Sequence, residues 1–194
     1  EEIGSLCEKT GAECAETVAD EIIVSGKRKK SGKKDSRRDG QKNGRGREDA
    51  ALSEAVSAFR MFEKENLKDS ESLESGKRFL LFGENLYLVP EQMPDLKGLK
   101  VLRPGLHLGT SKKDRFEPSH ALALALRPDQ VKHVCSLESD SPEIKAYLNG
   151  QTLNMDGEKG WYLITVDGYS TGWGKLAGGI MKNHYPKGLR KRLP

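Results

Sequence analysis

The 194 residues suffice for one ordinary domain or two small ones, but 35% hydrophobic against 32% charged residues is a poor supply for a single compact body of that length. No stretch approaches the ~18 apolar residues of a membrane span, no basic region precedes an apolar run as in a secretory signal, and Cys7, Cys14 and Cys135, without a CxxC, indicate neither a disulfide framework nor a zinc site. A reducing, cytoplasmic setting is therefore expected, and the net charge of +4 matters less than its uneven distribution.

The chain starts at Glu1 rather than Met, which reads as a piece of something longer. Over residues 1–24 the apolar residues Leu6, Val18, Ile22 and Ile23 are too sparse for a core. From Lys27 to Arg47 lysines and arginines alternate with Gly, Ser, Asp and Asn, and almost nothing apolar lies between Val24 and Ala50. Such a run cannot bury enough surface to offset its ordering entropy, so residues 1–50 are expected to be a disordered basic linker, solvated or touching phosphates without sequence preference.

Order is expected from Asp49, an N-cap, because Leu52, Val56, Phe59 and Phe62 recur at helical spacing to about Leu67. A polar connector spans 70–76. Arg78–Phe82 and Leu86–Val89 read as a hairpin around Gly83-Glu84-Asn85, stopped by Pro90. Leu99–Leu102 predicts another short strand before Arg103-Pro104-Gly105 and Leu106–Gly109. Ser119 predicts the cap of a helix ending before Pro128, and 128–135 a further short helix. Ser141-Pro142-Glu143 opens a helix over 144–148 that Asn149-Gly150 ends. Trp161–Val166 then meets Asp167-Gly168, a strong hairpin turn, and Tyr169 begins the returning strand. Short strands mixed with short helices indicate a small α+β fold of pseudo-β-barrel type.

The carboxy-terminal segment carries the chemistry. After Asp167 no acidic residue follows, and Gly172-Trp173-Gly174-Lys175 and 182–192 thread rings and glycines between cations. Positive charge attracts phosphate, flat rings stack on unpaired bases, and glycine permits close approach. Lys175, Lys182, Lys187 and Arg190 are the expected phosphate contacts; Trp173, Asn183, His184 and Tyr185 are expected to shape or stack against RNA. Two readings of Trp173 remain, because its flanking glycines leave the ring accessible or let it fold over the barrel. Trp161, at the start of a strand, reads as core rather than platform. His107, His120 and His133 have no ligand spacing and read as structural or surface groups, so no metal is expected.

The strings Val101–Gly109, Arg115–Leu124, Gly160-Trp161, Val166–Tyr169, Gly172–Lys175 and Lys182–Arg190, in that order, resemble the C-terminal part of RsmF-type rRNA cytosine-C5 methyltransferases of the Sun family. The resemblance covers roughly 52–192. It implies a small first C-terminal domain over 51–109 and a PUA-like RNA-binding domain over 110–194, with Arg103 and His107 near the junction. It further implies that this module holds ribosomal RNA for a catalytic methyltransferase domain, in cis or trans, that uses S-adenosylmethionine. That chemistry needs two cysteines, in Pro-Cys and Thr-Cys contexts, whereas here the cysteines follow Leu6, Glu13 and Val134. Gly44-Arg45-Gly46 follows no strand, so no nucleoside-binding turn is expected. On this reading the chain has no catalytic residue and no cofactor site, and is inactive alone. Two other classes stand beside it: a protein-interaction module docking on a catalytic subunit or ribosomal protein, and an unrelated enzyme built on the histidines and Cys135.

Overall fold

Helical periodicity sets the first element. In the computed structural model, which describes residues 43–190 apart from 69, 70, 97 and 114, helix α1 runs Asn43–Asn66. Ala55, Phe59 and Phe62 are buried along one side while Glu54, Arg60, Lys64 and Glu65 stay exposed. The helix thus begins within the stretch expected to be disordered, and Asp49 lies inside it rather than capping it. Once the packed turns downstream exist, adding a helical residue costs far less than nucleating one, which carries the helix back through a charged segment. The rest of the basic linker expected over 1–50 lies outside the described residues.

A single turn, α2 (Glu71–Glu74), replaces the expected connector. Arg60 joins it to α1, donating to both Glu74 oxygens at 2.5 and 2.7 Å and to Glu63 at 2.7 Å. Strands β1 (Lys77–Phe82), β2 (Asn85–Pro90), β3 (Leu106–Lys112) and β4 (Arg115–Pro118) then form an antiparallel sheet in that order. The expected domain boundary after residue 109 falls inside β3. The strand expected at Leu99–Leu102 is absent: Leu99 and Leu102 point to solvent in the β2–β3 connection, 65% and 91% exposed, because a short segment held between Gly98 and Pro104 meets no sheet edge.

Ser119 caps helix α3 (His120–Ala125), its Oγ accepting from Leu122 N at 3.0 Å. The helix expected over 128–135 is only a 3-10 turn at Pro128–Gln130. Val134–Leu137 becomes strand β5, parallel to β7 (Gly160–Val166), because the segment there finds the open edge of β7 to pair with. Helix α4 (Pro142–Leu148) starts on the Ser141 cap as the sequence predicts. The remaining strands, β6 (Leu153–Asn154), β8 (Tyr169–Ala177) and β9 (Ile180–Asn183), complete a second sheet in the order β5-β7-β8-β9-β6. Asp167 and Gly168, at φ 49° and 86°, make the β7–β8 turn, where both central residues need the left-handed region.

Two apolar clusters sandwich the second sheet. One face contributes Trp161, Leu163 and Trp173 to a core shared with α1, α3 and the first sheet. The other contributes Tyr162, Ile164, Leu176 and Met181 against Ile144 and Tyr147 of α4. The architecture is α+β, as the residue pattern predicts.

Candidate nucleic-acid interface

Directly opposed residues of antiparallel strands share a face. Trp161 on β7 opposes Lys175 on β8, which opposes Lys182 on β9, so the three form one row across the sheet. The Lys175 ammonium lies 5.0 Å from the centroid of the Trp161 ring, a cation–π contact that fixes the lysine at the sheet surface. His184 extends the same face, its ring edge-on to Trp161 at 4.5 Å between centroids. Desolvation against Trp161 pushes the His184 imidazole below its ordinary pKa; Glu117 opposes that shift, while Lys175 and Lys182 add to it.

The tip of the β3–β4 hairpin brings more charge alongside. Glu117 accepts from Lys112 at 2.6 Å and Arg115 at 2.9 Å, and these partners hold its carboxyl below the ordinary carboxylate range. Lys112, Lys113, Arg115 and Lys175 together border a groove of about 430 Å³ between the hairpin and α1, with Trp161 in its lining. Glu54 and Glu65 of α1 line the same groove, but from the hairpin tip across β8 and β9 the cations outnumber the carboxylates, Glu117 being shared by Lys112 and Arg115.

The other sequence-predicted groups lie elsewhere. Trp173 is 1% exposed, a correction to the expectation that it stacks on RNA: its indole donates to the Ser119 carbonyl at 2.9 Å and its ring packs on Phe62. Asn183 alternates to the opposite face from Lys182. There it donates to the carbonyls of Tyr147 and Gln151 at 2.7 and 3.0 Å and accepts from Tyr185 N at 2.8 Å. Tyr185 is half-buried between His120 and Tyr147. Arg190 folds over Gly150 and donates to the Tyr185 carbonyl at 3.2 and 3.3 Å. Lys187 is exposed on the 3-10 turn Lys187–Leu189. The expected single accessible side therefore holds Lys175, Lys182 and His184, while Asn183, Tyr185 and Arg190 fasten the carboxy-terminal segment to α4.

Sequence reasoning missed Lys112, Lys113 and Arg115, although three cations within residues 112–115, between two strands, are a signal of a charged hairpin tip. The groups a competing enzyme reading would use do not gather. Cys135 lies on β5 with its thiol pushed up by burial, the reverse of nucleophile activation. His133 packs on Tyr162, His107 on Tyr87, and His120 on Tyr185. Among the described residues no group of three or more His, Cys, Asp or Glu could hold a metal ion, and no helix is long and apolar enough to cross a membrane.

Residues 61–126 match the RsmF rRNA methyltransferase first C-terminal domain. Residues 135–191 match the methyltransferase RsmF PUA domain. The chain belongs to the RsmF-type methyltransferases, as their C-terminal region. In this RsmF-type module the first match covers the C-terminal end of α1 from residue 61, the whole first sheet and α3, and the second covers the β5–β9 sheet from residue 135 with α4. The positive surface draws on both, since the hairpin tip belongs to the first match, and Lys175, Lys182 and His184 to the second. The chain is thus an rRNA methyltransferase-associated module that contains a PUA domain.

Proposed function

We propose that this module binds ribosomal RNA through the face bearing Lys175, Lys182 and His184 together with the β3–β4 tip, and so positions the RNA for methylation. The observation that carries this reading is the row Trp161–Lys175–Lys182, in which adjacent strands present cations from one sheet face beside the His184 imidazole. Ammonium groups held at strand spacing suit a phosphate backbone, and His184 adds a donor and a flat ring beside it. Lys187 adds attraction from the neighbouring turn. Catalysis belongs to a separate S-adenosylmethionine-dependent cytosine-C5 methyltransferase domain, in cis or trans. The module's contribution to that reaction is orientation and effective concentration.

Replacing Lys175 and Lys182 by alanine tests the reading. Counterion release predicts that each lost phosphate contact flattens the log-affinity against log-salt slope by about 0.7 to 0.9. The double variant is expected to bind rRNA fragments more weakly, with its slope reduced by about twice that amount. An unchanged slope in a folded double variant would remove this face from the interface.

A further inference from the structure

The groove beside the positive face has two chemically different walls. On α1, Glu54, Ser57, Ala58, Met61 and Glu65 recur at three- and four-residue intervals, so they line one stripe of the helix. The centre of that stripe is apolar, with Met61 66% exposed, and each end carries a carboxylate. The facing wall is the hairpin tip, which carries Lys112, Lys113 and Arg115 against the single Glu117 carboxylate that Lys112 and Arg115 share, and Phe62, Phe116 and Trp161 contribute apolar surface toward the interior. An exposed methionine beside aromatic surface is unusual on a helix otherwise coated with charge, and thioethers contact flat rings favourably.

We infer that this groove takes a single unpaired nucleotide of the bound RNA, its base lying against Met61 and its phosphate held by Lys112, Lys113 and Arg115. The inference rests on the RNA-binding reading above and deepens it. The groove's volume of about 430 Å³ is on the scale of a single nucleotide and far below that of a duplex segment. The two walls match the two ends of that ligand: cations meet the phosphate, and the Glu54 and Glu65 carboxylates, which would repel it, accept hydrogen bonds from the base. A carboxylate accepts only, so it favours the two N–H donors of an exocyclic amino group over the single ring N–H of uracil, which is flanked by two carbonyl oxygens that repel it. Lys175 borders both the groove and the Lys182 row, which makes the pocket continuous with the phosphate-binding face. A fully paired RNA would meet the row alone.

The test uses the 194-residue chain and labelled RNA hairpins of one stem, with loops of cytidine or of uridine, beside a fully paired duplex of equal length. Cytosine and uracil have nearly the same shape and differ at position 4, amino group against carbonyl, and at N3, acceptor against N–H, so they report the carboxylate's preference for an amino group over a lone ring N–H. The cytidine loop should bind roughly tenfold more tightly than the uridine loop. Ser57→Trp, which fills the groove from an exposed helix position, should abolish that advantage and lower hairpin affinity to that of the duplex. Glu65→Gln, which preserves volume and can present an amide donor, should narrow the cytidine preference even if Ser57→Trp fails to fold. Equal affinity for duplex and both hairpins, or a cytidine preference unmoved by either folded variant, overturns the groove inference. Loss of binding in the Lys175→Ala, Lys182→Ala double variant would leave the RNA-binding reading standing in that case. No binding of any RNA by the folded chain overturns both.

Discussion

Lys182 and Asn183 are neighbours in β9 and point to opposite sides of the sheet, so truncating each should produce a different phenotype. Asn183 satisfies two carbonyls and one backbone N–H of the α4 and 185 segments. Asn183→Ala leaves all three without that partner and is expected to destabilise the fold by about 1–3 kcal/mol. The midpoint of urea unfolding reads this, and the salt dependence of RNA binding should not change. Lys182→Ala is expected to do the reverse. Both residues were visible in the sequence as members of one polar string, but their division was not, because the period of two applies only once β9 is known to be a strand. The two readings of Trp173 could not be separated in the sequence for a related reason. Its flanking glycines do not serve to expose the ring: a Cβ at Gly172 would collide with the Tyr147 hydroxyl, and one at Gly174 with the Met181 thioether. The glycines make room for the second core on the far side of the sheet. The indole itself is buried in the first core.

At the scale of elements, what holds the two sheets together is the aromatic side of α1. Phe62 lies 5.4 Å from Phe116 in the first sheet, and 5.9 and 6.5 Å from Trp173 and Trp161 in the second, measured between ring centroids. Phe62→Ala is expected to cost about 3–5 kcal/mol, since no neighbouring element can move in to fill the space of a ring contacted from both sheets. Urea unfolding followed by tryptophan fluorescence checks the size, and the exposed neighbour variant Met61→Ala should shift stability by less than about 0.5 kcal/mol. The helix stripe that makes Phe62 central was legible from spacing alone. So were the caps at Ser119 and Ser141 and the Asp167-Gly168 turn, each of which is decided within a few residues. The elements misread are those decided at long range. Val134–Leu137 becomes a strand only because β7 offers a parallel edge, and Leu99–Leu102, apolar enough for a strand, has no edge to join.

For the whole molecule, protonation should move folding and binding in opposite directions. Burial depresses the pKa of His107, of His120 and of His184; at His107 the Gly109 carbonyl partly offsets this, and Arg103 adds to it. The unfolded chain, with histidines near their ordinary value of about 6.5, therefore takes up protons before the folded one does. Stability is full above that value and falls as pH drops through the folded pKa values. Thermal unfolding followed between pH 7.5 and 5.5 should show a falling midpoint, and His120→Asn, which removes one titrating ring, should make the decline shallower. On the proposed RNA face the sign reverses. His184 is surrounded by Lys175, Lys182, Glu117 and the Trp161 ring, and an incoming phosphate adds negative charge that favours the imidazolium. RNA binding must then raise the His184 pKa, and by linkage the affinity must rise as pH falls over the range where the fold is losing stability. His184→Asn should flatten the affinity profile and leave the contributions of His107 and His120 to the stability profile in place. Parallel pH dependence of affinity in the variant and the parent chain would show that His184 does not face the RNA.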